Sequence, residues 1–464
     1  MCGSQCVGIG DPDYGCTATG CFPCSIPGAY ATCLQGACAL DECLAHHADC
    51  NNDEADGCEV DLLTDAKNCQ ACGNECPATS WGTPNCNQGS CSYVCLAGFA
   101  PCASGCCPSI SSSPGTLVAG RAHTCVLTSA GGVKCWGKAV EDGSAADSHV
   151  AIDVPGLASG VTALASKDSH TCALLQNGAV LCWGDNTYGE LGNASSGNSS
   201  ATPVEVQGLG GAATAIAAGS GFSCAKLTAG GYACWGRNSD GQLGTGNKLD
   251  SNVAVPAAKL AALSFVSTGG AHACGLHNGG IQCWGNNQLG QLGDGTKISR
   301  LIPADAYNLS AAGAYAIDAV AQHTCAVVLD GSVLCWGDNQ YGQLGTGSAG
   351  GSQAYPQPVI DVAGKAAIVA SGSRHTCVLL KTGAVQCWGA GGQGQLGDGT
   401  STDRYTATVV PGLPSDVVSM ASGELHSCVL AAGGKVYCWG ANGSGQLGDG
   451  STSTRPSPVA VQGL

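Results

Sequence analysis

From residue 116 to the end of the chain, short apolar runs alternate with Gly-rich polar stretches, and no segment shows a helical pattern. The runs are organised around the tripeptide Cys-Trp-Gly. It occurs seven times, with its Trp at 136, 183, 235, 284, 336, 388 and 439. The intervals of 47, 52, 49, 52, 52 and 51 residues mark an array of one repeated unit. Each unit has a second Cys upstream, at Cys125, Cys172, Cys224, Cys274, Cys325, Cys377 and Cys428. A His precedes that Cys by two in six units, and Phe222 takes its place in the third.

The stretch between the two Cys of a unit reads as a β-hairpin. For Cys172 and Cys182 a three-residue loop, Gln176-Asn177-Gly178, sets the two Cys opposite each other, and Gly stands where a left-handed residue is required. Gly131, Gly230, Gly331, Gly383 and Gly434 occupy the same place in five other units. In the fourth unit the Cys are nine apart instead of ten, and the loop shrinks to Asn278-Gly279, the favoured sequence of a type I′ turn. Either loop puts the pair at a non-hydrogen-bonded position, where facing Cα atoms lie about 4.5 Å apart, within reach of a disulfide. Seven disulfides are predicted: Cys125–Cys135, Cys172–Cys182, Cys224–Cys234, Cys274–Cys283, Cys325–Cys335, Cys377–Cys387 and Cys428–Cys438. The alternative is a row of buried free thiols.

After Trp-Gly comes a turn reading Gly-Gln-Leu-Gly in most units, from Gly241, Gly290, Gly342, Gly394 and Gly445, with Gly189-Glu-Leu-Gly192 as a variant. The first unit has Lys138-Ala-Val-Glu-Asp-Gly143 instead. Extended segments follow, clearest at Pro203–Leu209 and Pro458–Leu464. Three or four short strands per unit and seven units predict an all-β, seven-bladed β-propeller over 116–464. The first unit starts without a preceding extended segment and the chain ends on one. The simplest closure has the last strand completing the blade that the first unit opens.

The other quarter of the chain differs. Residues 1–107 carry 19 of the 33 Cys, and up to residue 115 there are 12 acidic residues against Lys67 alone. So many Cys with few large apolar residues imply a disulfide-stapled, loop-dominated domain, joined to the propeller by a linker at 108–115. Alternating oxygen donors at Asp49, Asn51, Asp53, Asp56, Glu59 and Asp61 offer hard ligands of the kind Ca²⁺ takes. Glu54 stands where a calcium loop of the EF-hand type needs Gly, and a solvated acidic loop is the alternative. The Cys69/Cys72/Cys76 spacing fits zinc in a reducing cell and disulfides elsewhere. Nineteen is odd, and the sequence opens Met1-Cys2-Gly3-Ser4. Cys2 is therefore expected to be the lipidated first residue of a bacterial lipoprotein, the alternative being a start that orphaned its partner.

The seven copies of these motifs resemble the regulator of chromosome condensation family of propellers, over about residues 116–464. The Cys pairs resemble its secreted bacterial branch. Asp49–Asp61 and Asn68–Cys76 resemble the Cys-rich modules of myxobacterial secreted proteins and stigma-specific proteins. The family resemblance implies a seven-bladed propeller and binding of proteins through loops on one face. In the family's best-known member it implies guanine-nucleotide exchange on a small GTPase and docking on nucleosomes. A net charge of −16 argues against nucleic-acid partners, and the Cys content argues for an extracellular or bacterial cell-surface location. No run is long and apolar enough for a transmembrane helix.

No nucleophile–base pair, phosphate loop or zinc-protease motif stands apart from the repeat. The repeated His is expected to bond a neighbouring backbone group, while His149 and His277 fall in loop or turn contexts. The expectation is a non-enzymatic exported binding protein without a cofactor, calcium apart. It would recognise a protein or glycan, or self-associate, with the loops Asn193–Ser200 and Ser348–Ser352 as candidates. The alternatives are an exchange-factor-like regulator and a propeller enzyme acting on polysaccharide.

Overall fold

The computed structural model describes residues 28–34, 37–53, 58–76, 82–95, 99–102, 105–108, 117–139, 146–309 and 313–464. The chain divides into two compact units, Met1–Pro108 and Ser109–Leu464. The first contains antiparallel two-stranded ladders, among them Gly82–Asn87 with Ser90–Cys95. The second contains seven four-stranded antiparallel sheets, each built from consecutive strands: a seven-bladed β-propeller.

Blade 2 shows the plan, with strands Val161–Ser166, His170–Leu175, Val180–Gly184 and Ser200–Glu205 in order. Its second and third strands form the predicted hairpin. Leu175 N–H donates to Ala179 O at 2.9 Å and Gly178 takes φ +83°, so the loop is Gln176-Asn177-Gly178. In blade 4 His277 pairs Gly280, and Asn278 and Gly279 take φ +49° and +78°, the two left-handed residues of a type I′ turn. Cys faces Cys in all seven hairpins, with Cα atoms 4.0–4.1 Å apart and a disulfide in each.

Pairing between the third and fourth strands slips at the Trp of Cys-Trp-Gly, and this bulge turns the indole out of the ladder. All seven Trp are fully buried, each against the preceding blade. Trp235 of blade 3, for example, packs on Cys172, Leu174, Val180, Leu191 and Val206 of blade 2.

Closure differs from the expected shared blade. Blade 1 has its own fourth strand, Ser148–Asp153, and Arg455–Ala460 completes blade 7. That strand is inconspicuous in the sequence because the loop before it lacks the Gly-Gln-Leu-Gly marker. The ring closes by packing Trp136 on Cys428, Cys438 and Leu447 of blade 7. Hydrogen bonds from Ala151 N–H to Gln462 O and from Gly450 N–H to His149 O, both 2.9 Å, add to it. Bonds of this second kind recur around the ring, as in Gly347 N–H to Tyr405 O at 2.8 Å. Each outer strand that accepts such a bond has its edge partly covered by the blade before it.

Candidate functional site

The repeated His lies against the next blade, and its partner is a hydroxyl there instead of the expected backbone group. Nε2 meets Thr171 from His123 (2.7 Å), Ser223 from His170 (2.7 Å) and Thr324 from His272 (2.9 Å). It meets Thr376 from His323 (3.0 Å), Ser427 from His375 (2.8 Å) and Thr124 from His426 (2.9 Å). Thr124, Thr324, Thr376 and Ser427 donate onward to the main-chain oxygens of Gln446, Gln291, Gln343 and Gln395. The hydroxyl proton being engaged there, the imidazole donates through Nε2 and is neutral, with Nδ1 unprotonated. Burial holds His170 down to about 4 and His272, His323, His375 and His426 down to about 3.

The same four Gln oxygens accept the Nε1–H of Trp136, Trp336, Trp388 and Trp439 at 2.9 Å. With both Cys in disulfides and each His bonded across a junction, these groups stitch blades together and are not assembled as metal ligands. Where Phe222 replaces His, the facing residue is Ala273 instead of Thr or Ser, and both are buried in one apolar cluster. The substitutions match: a junction without the donor also lacks the acceptor. The residue after each His, compared between units, is the signal that would have revealed this network.

In the N-terminal unit three of the candidate oxygen donors are engaged locally, while Asp49 Oδ1 is buried without a hydrogen-bond partner among the described residues. Asn51 Oδ1 accepts Asp53 N–H (2.7 Å), Glu59 Oε1 accepts Cys50 N–H (3.2 Å), and Asp61 accepts Leu63 N–H (2.8 Å) and the Thr64 hydroxyl (3.0 Å). These two bonds hold the Asp61 carboxyl below its ordinary range. Among the described residues, no three carboxylates in this stretch gather their oxygens at one point. Asp56 and Cys2 lie outside the described residues, as does the linker beyond Pro108. Cys69, Cys72 and Cys76 are bridged to Cys86, Cys50 and Cys91, so the zinc spacing is used by disulfides.

The two faces of the propeller differ. Chain alternation puts the first-to-second and third-to-fourth connections on one face, and the short hairpins on the other. The third-to-fourth connections are the longest, and they include both candidate loops, Asn193–Ser200 and Ser348–Ser352. Buried Asn186, Asn238, Asn287, Asn339 and Asn442 clasp them. Asn287 Oδ1, for instance, accepts Leu292 N–H at 3.0 Å while Nδ2 donates to Asp294 and Thr296. Ion pairs six residues apart, Asp294–Arg300, Asp398–Arg404 and Asp449–Arg455, fasten three of them at 2.8 Å. Neither device was read from the sequence, although both recur at fixed spacing. His149 and His277, expected in loops or turns, lie in strands Ser148–Asp153 and His272–His277.

At the axis of that face a cavity of about 260 Å³ receives residues from all seven blades, including Arg121, Asp168, Ser220, Ser373 and Glu424. Its charged groups are engaged by neighbouring side chains. Arg121 Nε meets Glu424 Oε2 at 3.0 Å, and the Ser220 hydroxyl donates to Asp168. Lys167 Nζ reaches from blade 2 to Asp318 Oδ1 of blade 5 at 2.6 Å, and Asp318 Oδ2 accepts Ser371 N–H of blade 6. This crosspiece ties three blades together beneath the mouth.

Farther out, exposed large apolar side chains are distributed unevenly. Leu249, Ile298, Ile302, Tyr307, Tyr355, Ile360, Tyr405 and Val409 all belong to the loops and outer strands of blades 3 to 6, with Leu249 74% and Ile298 63% exposed. Tyr307 and Tyr355 meet edge to face at 5.0 Å. Among the described residues, the corresponding loops and outer strands of blade 1 expose none of this size, those of blade 2 expose Tyr188, and those of blade 7 expose Leu464.

Known proteins place the fold. Residues 78–413 match the model of the RCC1-like domain, and 417–446 and 433–464 match the regulator of chromosome condensation (RCC1) repeat. A stretch of 141 residues is 39% identical to human probable E3 ubiquitin-protein ligase HERC4, and one of 137 residues is 37% identical to human E3 ubiquitin-protein ligase HERC2. These stretches are 30% and 29% of this chain but only 13% and 3% of those proteins. Among solved structures, human WBSCR16 superposes with a TM-score of 0.61 at 22% identity, covering 68% of this chain and 85% of that one. Yeast RCC1 (Prp20), bound to Kap60, superposes with a TM-score of 0.64 at 20% identity, covering 76% and 86%. With the family model spanning most of its length and seven such repeats closed into a ring, this chain belongs to the RCC1-like domain family.

Proposed function

We propose that this protein is a non-enzymatic interaction scaffold that docks a partner protein on the loops and outer rim of blades 3 to 6, and that it works outside the cell or at its surface. The observation that carries the reading is the concentration of exposed apolar and aromatic side chains on those four blades. In a repeat array, positions shared by every unit are explained by packing. Leu249 and Ile298 are not: they occupy equivalent loop tips, where blades 5, 6 and 7 have Gly350, Thr402 and Ser453. Clustered exposed apolar and aromatic groups mark protein contact surfaces.

The fold serves protein partners elsewhere, since yeast Prp20 is described with Gsp1p, histones and Kap60. Eleven disulfides among the described residues support an oxidising compartment. A photo-crosslinking residue placed at Leu249 or Tyr355 tests the docking surface, with Ser457 of blade 7 as the control. Crosslinking in the native host to one protein from the first two positions and not from the third is the expected result. Equal labelling from all three, or none, defeats it.

A further inference from the structure

Glu190 is the exception at a repeated position. Blades 3 to 7 have Gln242, Gln291, Gln343, Gln395 and Gln446 there. In each of these the side-chain oxygen accepts the backbone N–H two residues earlier, at 2.8–3.0 Å. Glu190 keeps that bond, accepting Tyr188 N–H at 2.6 Å. The carboxamide nitrogen has a second task. Gln291 Nε2 donates to Asn286 Oδ1 (2.9 Å) and Gln343 Nε2 to Asp338 Oδ2 (2.8 Å), each five residues earlier.

In blade 2 the residue five earlier is Asp185. Two carboxylates thus stand at the positions where blades 4 and 5 pair an amide donor with an acceptor, and only a bound proton restores a donor at Glu190. Glu190 is 2% exposed. Burial, with the like charges of Asp185 and of Asp168 from the mouth, pushes its carboxyl up to about 7. The other charged or titratable groups around it are His170, a neutral base that feels Asp168 and Asp185, and Arg237, which lies over the Tyr188 ring at 5.2 Å.

We propose that Glu190 keeps a proton in the folded protein, and that its release to solvent loosens the blade 2 loop 185–200. The loop is well placed to respond. The Glu190 main-chain oxygen accepts Trp235 Nε1–H from blade 3 at 2.8 Å, and Leu191, buried in that junction, donates its N–H to Asn186 Oδ1 at 3.1 Å. Repulsion at Glu190 therefore strains both anchors, and the loop carries the half-exposed Tyr188 on the face that bears the other long loops. The inference is independent of the docking surface on blades 3 to 6.

Hydrogen exchange of the full chain between pH 5.5 and 8.5, corrected for the intrinsic rate, provides the test. Protection of amides 186–192 should fall by up to about tenfold per pH unit above neutrality, the limit for one proton. In E190Q, which restores the residue of the other blades, protection should stay flat. Q343E should transfer the response to residues 338–344 of blade 5, where Asp338 waits. A wild-type loop insensitive to pH, an E190Q loop that keeps the fall, or a Q343E blade 5 that stays flat would each overturn the proposal.

Discussion

In the N-terminal unit the one buried apolar cluster among the described residues consists of Cys69, Cys76 and Cys86. In the propeller six of the blade junctions each bury a Trp in one cluster with eight to twelve other buried apolar residues, and Trp388 at the seventh is fully buried as well. The N-terminal disulfides close 15 to 22 residues and join segments that no ladder connects, such as Cys50 to Cys72. Those of the propeller close nine or ten residues within hairpins already held by ladder bonds. One residue type therefore does two jobs. In the first unit it replaces a core, and in the second it fastens strands whose position the core and the buried polar network already set.

Reduction should separate the two units most sharply. Disulfide exchange requires access, and the propeller Cys are at most 1% exposed, whereas Cys72 and Cys91 lie at the surface. Brief dithiothreitol treatment under native conditions, followed by alkylation and peptide mass analysis, should label Cys50, Cys72, Cys76 and Cys91 while all seven hairpin disulfides survive. Each opened N-terminal bridge removes about 3 kcal/mol, and that unit should lose its ladders. Labelling of the hairpin Cys at the same rate would break the distinction.

Acid should act in the opposite order. A buried neutral His has a lower pKa in the folded chain than in the unfolded one, so unfolding takes up protons between those values and stability falls with pH. Five propeller His behave this way below pH 6.5, down to about 3 or 4. Glu190 has the opposite sign, its proton being held in the folded state between its ordinary 4.5 and about 7. Unfolding near pH 5 should therefore take up about four protons net, five less one. In the N-terminal unit Asp61 has a lowered pKa, and its contribution fades only as pH falls below the ordinary carboxylate value of 3.8. Calorimetry of the propeller from pH 7 to 4 should show a steep fall in Tm. A flat profile would mean that the imidazoles are protonated or reached by solvent.

The sequence made the hairpins legible because everything that sets their register lies within a dozen residues: two Cys, a Gly and, in blade 4, Asn278-Gly279. It hid what depends on the neighbouring unit. The partner of His272 is Thr324, 52 residues away, and the fourth strand of blade 1 follows a loop without its marker. The acids from Asp49 to Asp61 look alike in sequence as ligands and as turn formers. The Asp61 carboxylate, satisfied within three residues, is a turn former.

The junction between blades 3 and 4 allows the polar network to be weighed against packing. F222H places an imidazole donor against the Ala273 methyl, and leaving it unpaired in a buried site should cost about 2 kcal/mol. A273T alone sets a hydroxyl against the Phe222 ring and should cost a similar amount. In F222H/A273T the pair matches the other six junctions, and the double mutant should recover about 2 kcal/mol relative to the sum of the single changes. Denaturant midpoints at constant m-value measure the coupling. Strict additivity would show that the repeated His–hydroxyl bond fixes geometry without stabilising it.

The smallest effect concerns the least conventional junction. Trp336 donates its indole N–H to Gln291 O, which Thr324 also uses, whereas Trp183 Nε1 has no partner among the described residues because blade 1 lacks the Gly-Gln-Leu-Gly carbonyl. Replacing either Trp by Phe removes a similar apolar volume, so the hydrogen bond is the main difference between the two changes. W336F should therefore cost about 1 kcal/mol more than W183F. Equal costs would mean that the Trp336–Gln291 bond adds nothing to stability or that the Trp183 indole N–H is satisfied as well. In the second case blade 1 is stitched to blade 2 like the rest, and the contrast between a cystine-held unit and a network-held one extends unbroken around the ring.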